Sequence, residues 1–216
     1  MNIGVVAWKL STKLYHDATR DCLRSIYHDC NKIIIVSHET SDSDCVGLME
    51  EFPKIKFINN PTWGNNLSFA WNYMLEEFFS YSECALMLGN DVVVRDGTFS
   101  WFNPDQYRES GMISARDTIG LPEYIFAAFI LFKGFYNKVG PFDHVNFPLH
   151  CNDADFMKRM KKIGVDIHKD IYSDNSIHSD KRFVVEHKRS MSLREARNKM
   201  TEEEKFRYSA DEWDKV

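Results

Sequence analysis

The stretch Lys32-Ile-Ile-Ile-Val-Ser37 constrains the fold more than any other part of the chain. Four β-branched residues in succession leave no polar face, whereas a strand with one wet side alternates apolar and polar residues. Such a run marks a strand buried on both faces, as in a parallel sheet with helices above and below. The neighbouring segments supply the rest of that arrangement. Ile3–Trp8 reads as a strand, and Tyr15–Tyr27 places Tyr15, Ala18, Cys22, Leu23 and Ile26 at helical spacing. After Lys32–Ser37 the polar run HETSDSD breaks the strand. Val46–Phe52 then reads as a short helix stopped at Pro53, Ile55–Asn59 as a strand, Asn66–Phe79 as a helix with an apolar face, and Ala85–Leu88 as a fourth strand. This alternation predicts a doubly wound α/β sheet. Ligands of such sheets sit at the carboxyl ends of the strands, near the switch in strand order. Both HETSDSD and Gly89-Asn90-Asp91-Val92 fall at such ends.

The second half is less regular. Ile125–Phe132 is an apolar run whose length favours a strand, and Val139–Asp143 reads as a turn. Asp153–Ile163 reads as a helix with Phe156, Met157, Met160 and Ile163 on one side and Lys158, Arg159, Lys161 and Lys162 on the other. Gly164 caps it, Val165–His168 is expected as a last strand, and two polar helical stretches follow Arg189, the second opened by the capping-box pattern at Thr201–Glu204.

Charge and cysteine usage narrow the function classes. The formal net charge is −5, with no basic excess to suggest a nucleic-acid binder. Residues 1–150 carry 12 basic and 18 acidic side chains, residues 151–216 carry 15 and 14, so cations able to meet phosphates concentrate in the last third. The cysteines at 22, 30, 45, 84 and 151 form no CxxC pair, which argues against a zinc site or a disulfide framework and for a reducing compartment. No run of some eighteen apolar residues is present and no signal peptide precedes the first strand, so a cytoplasmic protein without a membrane span is expected.

Asp91 ends a buried strand with no lysine or arginine beside it in sequence. It is either a solvated turn residue or a carboxylate presented to a cation outside the chain, such as Mg²⁺ or Mn²⁺ on a diphosphate. Asp153 and Asp155 flank a helix start, where they could cap it, or Asp153 could take a proton from an acceptor hydroxyl. His178 becomes a candidate third ligand only if Asp91 already holds a metal. Lys181, Arg182, Lys188 and Arg189 form a basic cluster that is either solvated surface or a cover for a diphosphate.

The order of these pieces resembles the small family 2-like glycosyltransferases of the GT-A fold, over roughly residues 1–185. Val36-Ser-His-Glu-Thr-Ser-Asp42 looks like the family's nucleotide-base loop. Pro61–Asn72 looks like its Asn- and Gly-containing loop entering a helix, and Leu88-Gly-Asn-Asp-Val92 looks like a form of the DxD metal motif. Phe129–Asp143 followed by Asn152-Asp-Ala-Asp-Phe-Met-Lys-Arg159 matches the family's acceptor-side motif in order and spacing. Ser37, Trp71, Gly89 and Asn152 depart from it, standing where the family has Asp, often Arg, the first acid of DxD, and Glu.

The resemblance implies a single α/β GT-A domain (a Rossmann-like nucleotide-diphospho-sugar transferase) with a mixed central sheet. Its nucleotide-sugar half would be 1–95 and its acceptor half 96–185, with a helical extension at 186–216. It further implies Asp153 as catalytic base, and Asp91 and His178 as ligands of Mn²⁺ or Mg²⁺. Ala7, Trp8, Glu39, Asp42, Asn66, Asn72, Asn90 and Asp91 would hold the nucleotide sugar, a UDP-sugar by expectation. Phe129, Asn152 and Asp155 would meet the acceptor, and Lys181 and Arg182 the diphosphate. The acceptor itself (glycan, small molecule or nucleic acid) is not implied. Two other readings fit the same residues: a non-catalytic relative that kept the fold, and a transferase acting on modified nucleic-acid bases.

Overall fold

A computed structural model describes residues 1–59, 66–95, 99–107, 111–117, 126–149, 152–164 and 177–187. In chain order the elements are β1 (Asn2–Trp8), α1 (Lys13–Ile26), β2 (Lys32–His38), α2 (Asp42–Glu51), β3 (Ile55–Asn59), α3 (Leu67–Phe79), β4 (Cys84–Gly89), β5 (Val92–Val94), α4 (Pro104–Tyr107), β6 (Met112–Asp117), β7 (Ala128–Phe132), α5 (Lys133–Val139), α6 (Asn152–Lys162) and β8 (Ile177–His187). The strands form one sheet in the order β3-β2-β1-β4-β7-β6-β8-β5. The first four are parallel, with Trp8 opposite His38 and Val5 opposite Leu88, whereas β7 runs antiparallel to both β4 and β6. The sheet is therefore mixed, as expected.

The β-branched run behaves as its composition demands: Ile33, Ile34, Ile35 and Val36 are fully buried. Ile33 and Ile35 join the core shared with α1 and α2, while Ile34 and Val36 join the one shared with α3, α5 and α6. Alternating side chains of one strand thus feed both faces.

Several boundaries differ from the expectation for local reasons. Helix α2 begins at Asp42, not Val46, because Ser41 and Asp44 form a capping box that starts it four residues earlier. Part of the polar run HETSDSD is thereby helix. Val139–Asp143 is not a plain turn: helix α5 runs through Val139, and Gly140, at φ 87°, ends it with its N–H on the Tyr136 carbonyl. Strands β6 and β8 were not expected. Lys181 and Arg182 therefore lie on a strand rather than a tail, since β8 spans Ile177–His187 and pairs with β6 and β5. The expected strand at Val165–His168 and the helical stretches after Arg189 lie outside the described residues. Among the described residues, no helix is long and apolar enough to cross a membrane.

Candidate functional site

The carboxyl ends of β1 and β2 lie side by side, and the residue after each strand adopts the left-handed conformation: Lys9 at φ 47° and Glu39 at φ 48°. Neither is glycine, so each conformation costs about 1–2 kcal/mol and must be imposed by its surroundings. A small hydrogen-bond network does so. The Lys9 N–H donates to the His38 carbonyl (2.9 Å) and the Leu10 N–H to Thr40 Oγ1 (3.1 Å). Ser37 Oγ lies 2.6 Å from Thr40 Oγ1, and that hydroxyl donates to the His38 carbonyl at 3.0 Å. The Lys9 ammonium then sits 3.6 Å from Glu39 Oε2 and 4.7 Å from the centre of the Trp8 ring. Trp8 packs on Tyr15 with ring centres 5.7 Å apart, and Ala7 is fully buried. Glu39 and Asp42 are exposed, and Asp42 Oδ1 accepts from Asn59 Nδ2 (3.1 Å) at the end of β3. Lys9 was missed in the sequence; its place directly after the first strand is the signal that could have found it.

At the end of β4 the chain turns through Asn90 and Asp91 into β5. The Asn90 N–H donates to the Val6 carbonyl (3.1 Å), and its Nδ2 donates to Thr19 Oγ1 on α1 (2.9 Å) in the interior. Asn90 thus fastens the turn to β1 and α1. Asp91 is buried beside it. A Cβ added to Gly89 would stand 3.0 Å from Asp91 Oδ1, so a side chain there would push this carboxylate by a few tenths of an ångström. A lone hard oxygen donor of this kind fits Mg²⁺ or Mn²⁺ when phosphate oxygens and water complete the shell. Among the described residues, no three His, Cys, Asp or Glu side chains gather to hold a metal by themselves. His178, Lys181 and Arg182 are placed by the backbone of β8, His178 opposite Ile113; their side chains lie outside what the structure describes.

Helix α3 accounts for two more of the expected ligand residues. Asn66 caps it by accepting from the Phe69 N–H (2.8 Å), and its Nδ2 donates to the His144 carbonyl (2.9 Å). Asn72 is spent entirely within the protein. Its Nδ2 donates to the Phe142 carbonyl (2.8 Å), while its Oδ1 accepts from the Phe142 N–H (2.9 Å) and the Tyr136 hydroxyl (3.1 Å). Burial pushes the Tyr136 hydroxyl's proton affinity up, which suits a permanent donor. Phe129, expected at the acceptor, is fully buried in β7 against Trp71 and Phe126. These residues hold the fold together around the site.

Ser68 on α3 binds the carbonyls of Phe147 and Pro148, which brings the segment leading into α6 to the carboxyl edge of the sheet. Asn152 and Asp153 open that helix. Asp155 is engaged by Arg159 (2.8 Å), leaving Asp153 as the less committed carboxylate. Asp153 is half-buried and its Oδ1 accepts from the Ala154 N–H (2.8 Å). Burial raises its proton affinity above the ordinary carboxylate value, against the lowering effect of the backbone N–H groups of Ala154 and of Asp153 itself. Asn152 is buried with Oδ1 accepting from the Asp153 N–H (2.9 Å) and Nδ2 without an acceptor. Trp71 Nε1 is a second buried donor without an acceptor. Trp71 belongs to an aromatic cluster that reaches α6: Phe156, one turn after Asn152, stacks on Phe142 at 4.3 Å, and Phe142 meets Trp71 at 4.9 Å.

No protein-family model matches the sequence, and no curated protein matches it. Solved structures do match its fold. The mannosyltransferase PcManGT from Pyrobaculum calidifontis, in complex with GDP-Man and Mn²⁺, aligns with a TM-score of 0.57 at 12% identity over 90% of this chain and 61% of that one. GalNAc-T7 with UDP, GalNAc and Mn²⁺ aligns with a TM-score of 0.54 at 10% identity over 86% of this chain and 43% of that one. An active-site mutant of LgtC aligns with a TM-score of 0.52 at 12% identity over 87% and 86%. The chain thus spans 61% and 43% of the length of the first two. Strand order, the mixed sheet and these alignments together give the chain the GT-A fold of nucleotide-diphospho-sugar transferases.

Proposed function

We propose that the chain is a glycosyltransferase that moves a sugar from a nucleoside-diphosphate sugar to an acceptor hydroxyl, with inversion at the anomeric carbon. The observation that carries this reading is Asp153. On a GT-A sheet, it is a half-buried carboxylate at a helix start on the carboxyl edge, with raised proton affinity, a bond from the Ala154 N–H and, among the described residues, no cationic partner. Those are the properties of a general base. The acceptor hydroxyl gives its proton to Asp153 while its oxygen attacks the anomeric carbon from the face opposite the diphosphate. The bond from that carbon to the diphosphate oxygen breaks, and its electron pair leaves with the diphosphate. Asp91 is the residue that would hold Mn²⁺ or Mg²⁺, which would supply charge neutralisation at the departing diphosphate; His178, paired with Ile113, stands nine residues along β8 from the His187 that lies opposite Val92. Lys181 and Arg182 would add cationic contacts there, with residues 1–95 serving the nucleotide sugar, 96–185 the acceptor, and 186–216 forming an extension. A uridine nucleotide is what the family resemblance favours.

The test is sugar-nucleotide turnover with and without Mn²⁺ on wild type, Asp153→Asn and Asp91→Ala. Asp153→Asn is expected to lose about 10²–10⁴-fold in rate while still binding the nucleoside diphosphate, and Asp91→Ala to lose metal-dependent binding. A product with retained anomeric configuration would exclude Asp153 as the sole base.

A further inference from the structure

We propose that the base of the bound nucleotide is guanine, read by Glu39 and Lys9; this rests on the nucleotide-sugar reading above and replaces the uridine favoured by resemblance. Two facts single this pair out. Lys9 and Glu39 both follow central parallel strands, β1 and β2, at the edge where an α/β sheet receives its ligand. Both are also held in a left-handed backbone conformation that only their surroundings sustain. The result is a carboxylate and an ammonium set side by side, 3.6 Å apart, with the Glu39 side chain 41% exposed and the Lys9 side chain 14% exposed. The Thr40 hydroxyl ties the two loops together, so the pair is in place before a ligand arrives.

The hydrogen-bonding edges of the bases decide which one complements that pair. A carboxylate accepts at both oxygens and donates nothing, and an ammonium only donates. Guanine alone among the four common bases presents two adjacent donors, N1–H and the N2 amino group, next to an acceptor, O6. The carboxylate of Glu39 can take both donors, and the Lys9 ammonium beside it can donate to O6. Uracil offers a single N–H flanked by two carbonyl oxygens, so one carboxylate oxygen would face a carbonyl oxygen. Cytosine and adenine each place a ring acceptor beside their amino donor, with the same conflict. Charge-assisted bidentate pairing of this kind is both stronger and more selective than neutral contacts.

The experiment is calorimetric titration of GDP, IDP, UDP, CDP and ADP with Mn²⁺ present, on wild type and on Glu39→Gln and Lys9→Met. GDP is expected to bind at least about tenfold more tightly than UDP, CDP or ADP. IDP, which keeps O6 and N1–H but lacks the amino group, is expected to fall below GDP by a similar factor. Glu39→Gln should weaken GDP about tenfold or more and leave UDP unchanged, and Lys9→Met should weaken GDP in the same selective way. UDP, CDP or ADP binding as tightly as GDP, or GDP binding indifferent to Glu39→Gln, would overturn the guanine assignment and leave the nucleotide-sugar reading standing. Binding of no nucleotide at all would remove that reading, and the assignment with it. The wild-type series needs no variant to fold.

Discussion

Helices α1 and α3 flank the same central strand but are built for different surroundings. Helix α1 buries one face, with Tyr15, Ala18, Thr19, Cys22, Leu23 and Ile26, and turns the other to solvent. There Arg20 and Arg24 both reach Glu51 on α2, at 3.1 and 2.7 Å. Helix α3 is covered on both sides: Ser68, Ala70, Trp71, Asn72, Met74, Leu75, Phe78 and Phe79 are all buried. The sheet lies on one side of it, and the segment from Phe142 to Pro148 lies on the other. The difference shows what a polar residue on a helix means in each place. On α1 the outward charges are surface pairs worth at most about 1 kcal/mol each. On α3, Asn66, Ser68 and Asn72 fasten the first half of the molecule to the loop that delivers Asp153.

The sharpest way to break this comparison is Asn72→Ala. It removes the acceptor of the Tyr136 hydroxyl and the Phe142 N–H and the donor to the Phe142 carbonyl, all in the interior. With each orphaned buried group costing about 1–3 kcal/mol, a loss of about 3 kcal/mol or more in urea unfolding is expected. Tyr136→Phe tests the same hub more gently, because it leaves Asn72 its two backbone bonds to Phe142; about 1–2 kcal/mol is expected. Were Asn72→Ala to leave stability unchanged and abolish nucleotide binding instead, the residue would belong to the ligand, as its sequence motif suggested, and not to the seam.

That motif illustrates how far the sequence could be read. The first four strands were legible because each is a short apolar run, whatever the sequence distance to its sheet neighbour; Ile3 meets Leu86. The solvent-facing helix α1 was legible from its 3.6-residue period. Strands β6 and β8 were not, because Arg116 and Asp117 in one and His178 to Arg182 in the other break the apolar pattern with polar and charged residues. Asp91, Asp153 and Glu39 were identifiable by type and place. Asn66, Asn72, Asn90 and Phe129 were identifiable only as positions in a motif. A carboxamide satisfied by a backbone carbonyl or a buried hydroxyl some seventy residues away reads in sequence like one waiting for a ligand. Lys9 gave the opposite problem, an ordinary lysine whose backbone conformation and partner Glu39 exist only in the fold.

Asp153 gives the smallest stability effect and the one of opposite sign, which makes it the finest probe of what α3 delivers. Its proton affinity is raised in the folded state above the ordinary value of 3.8, chiefly by burial. A group of this kind stabilises the fold fully below its unfolded value and loses that contribution as pH rises through the folded value. At neutral pH the buried charge is therefore a net cost. Asn at this position carries no charge, and its carbonyl oxygen can keep the bond from the Ala154 N–H. Asp153→Asn is accordingly expected to be inactive yet more stable than wild type at neutral pH, with the gap in melting temperature closing as pH falls toward 3.8. A stability cost of this kind is what the proposed base role of Asp153 entails, the usual trade between activity and stability. A variant less stable than wild type at neutral pH would mean that the folded protein holds the charged form through a cationic partner. Asp153 would then be a structural anchor of α6, as Asp155 is through Arg159, and the base would have to be sought elsewhere on the carboxyl edge.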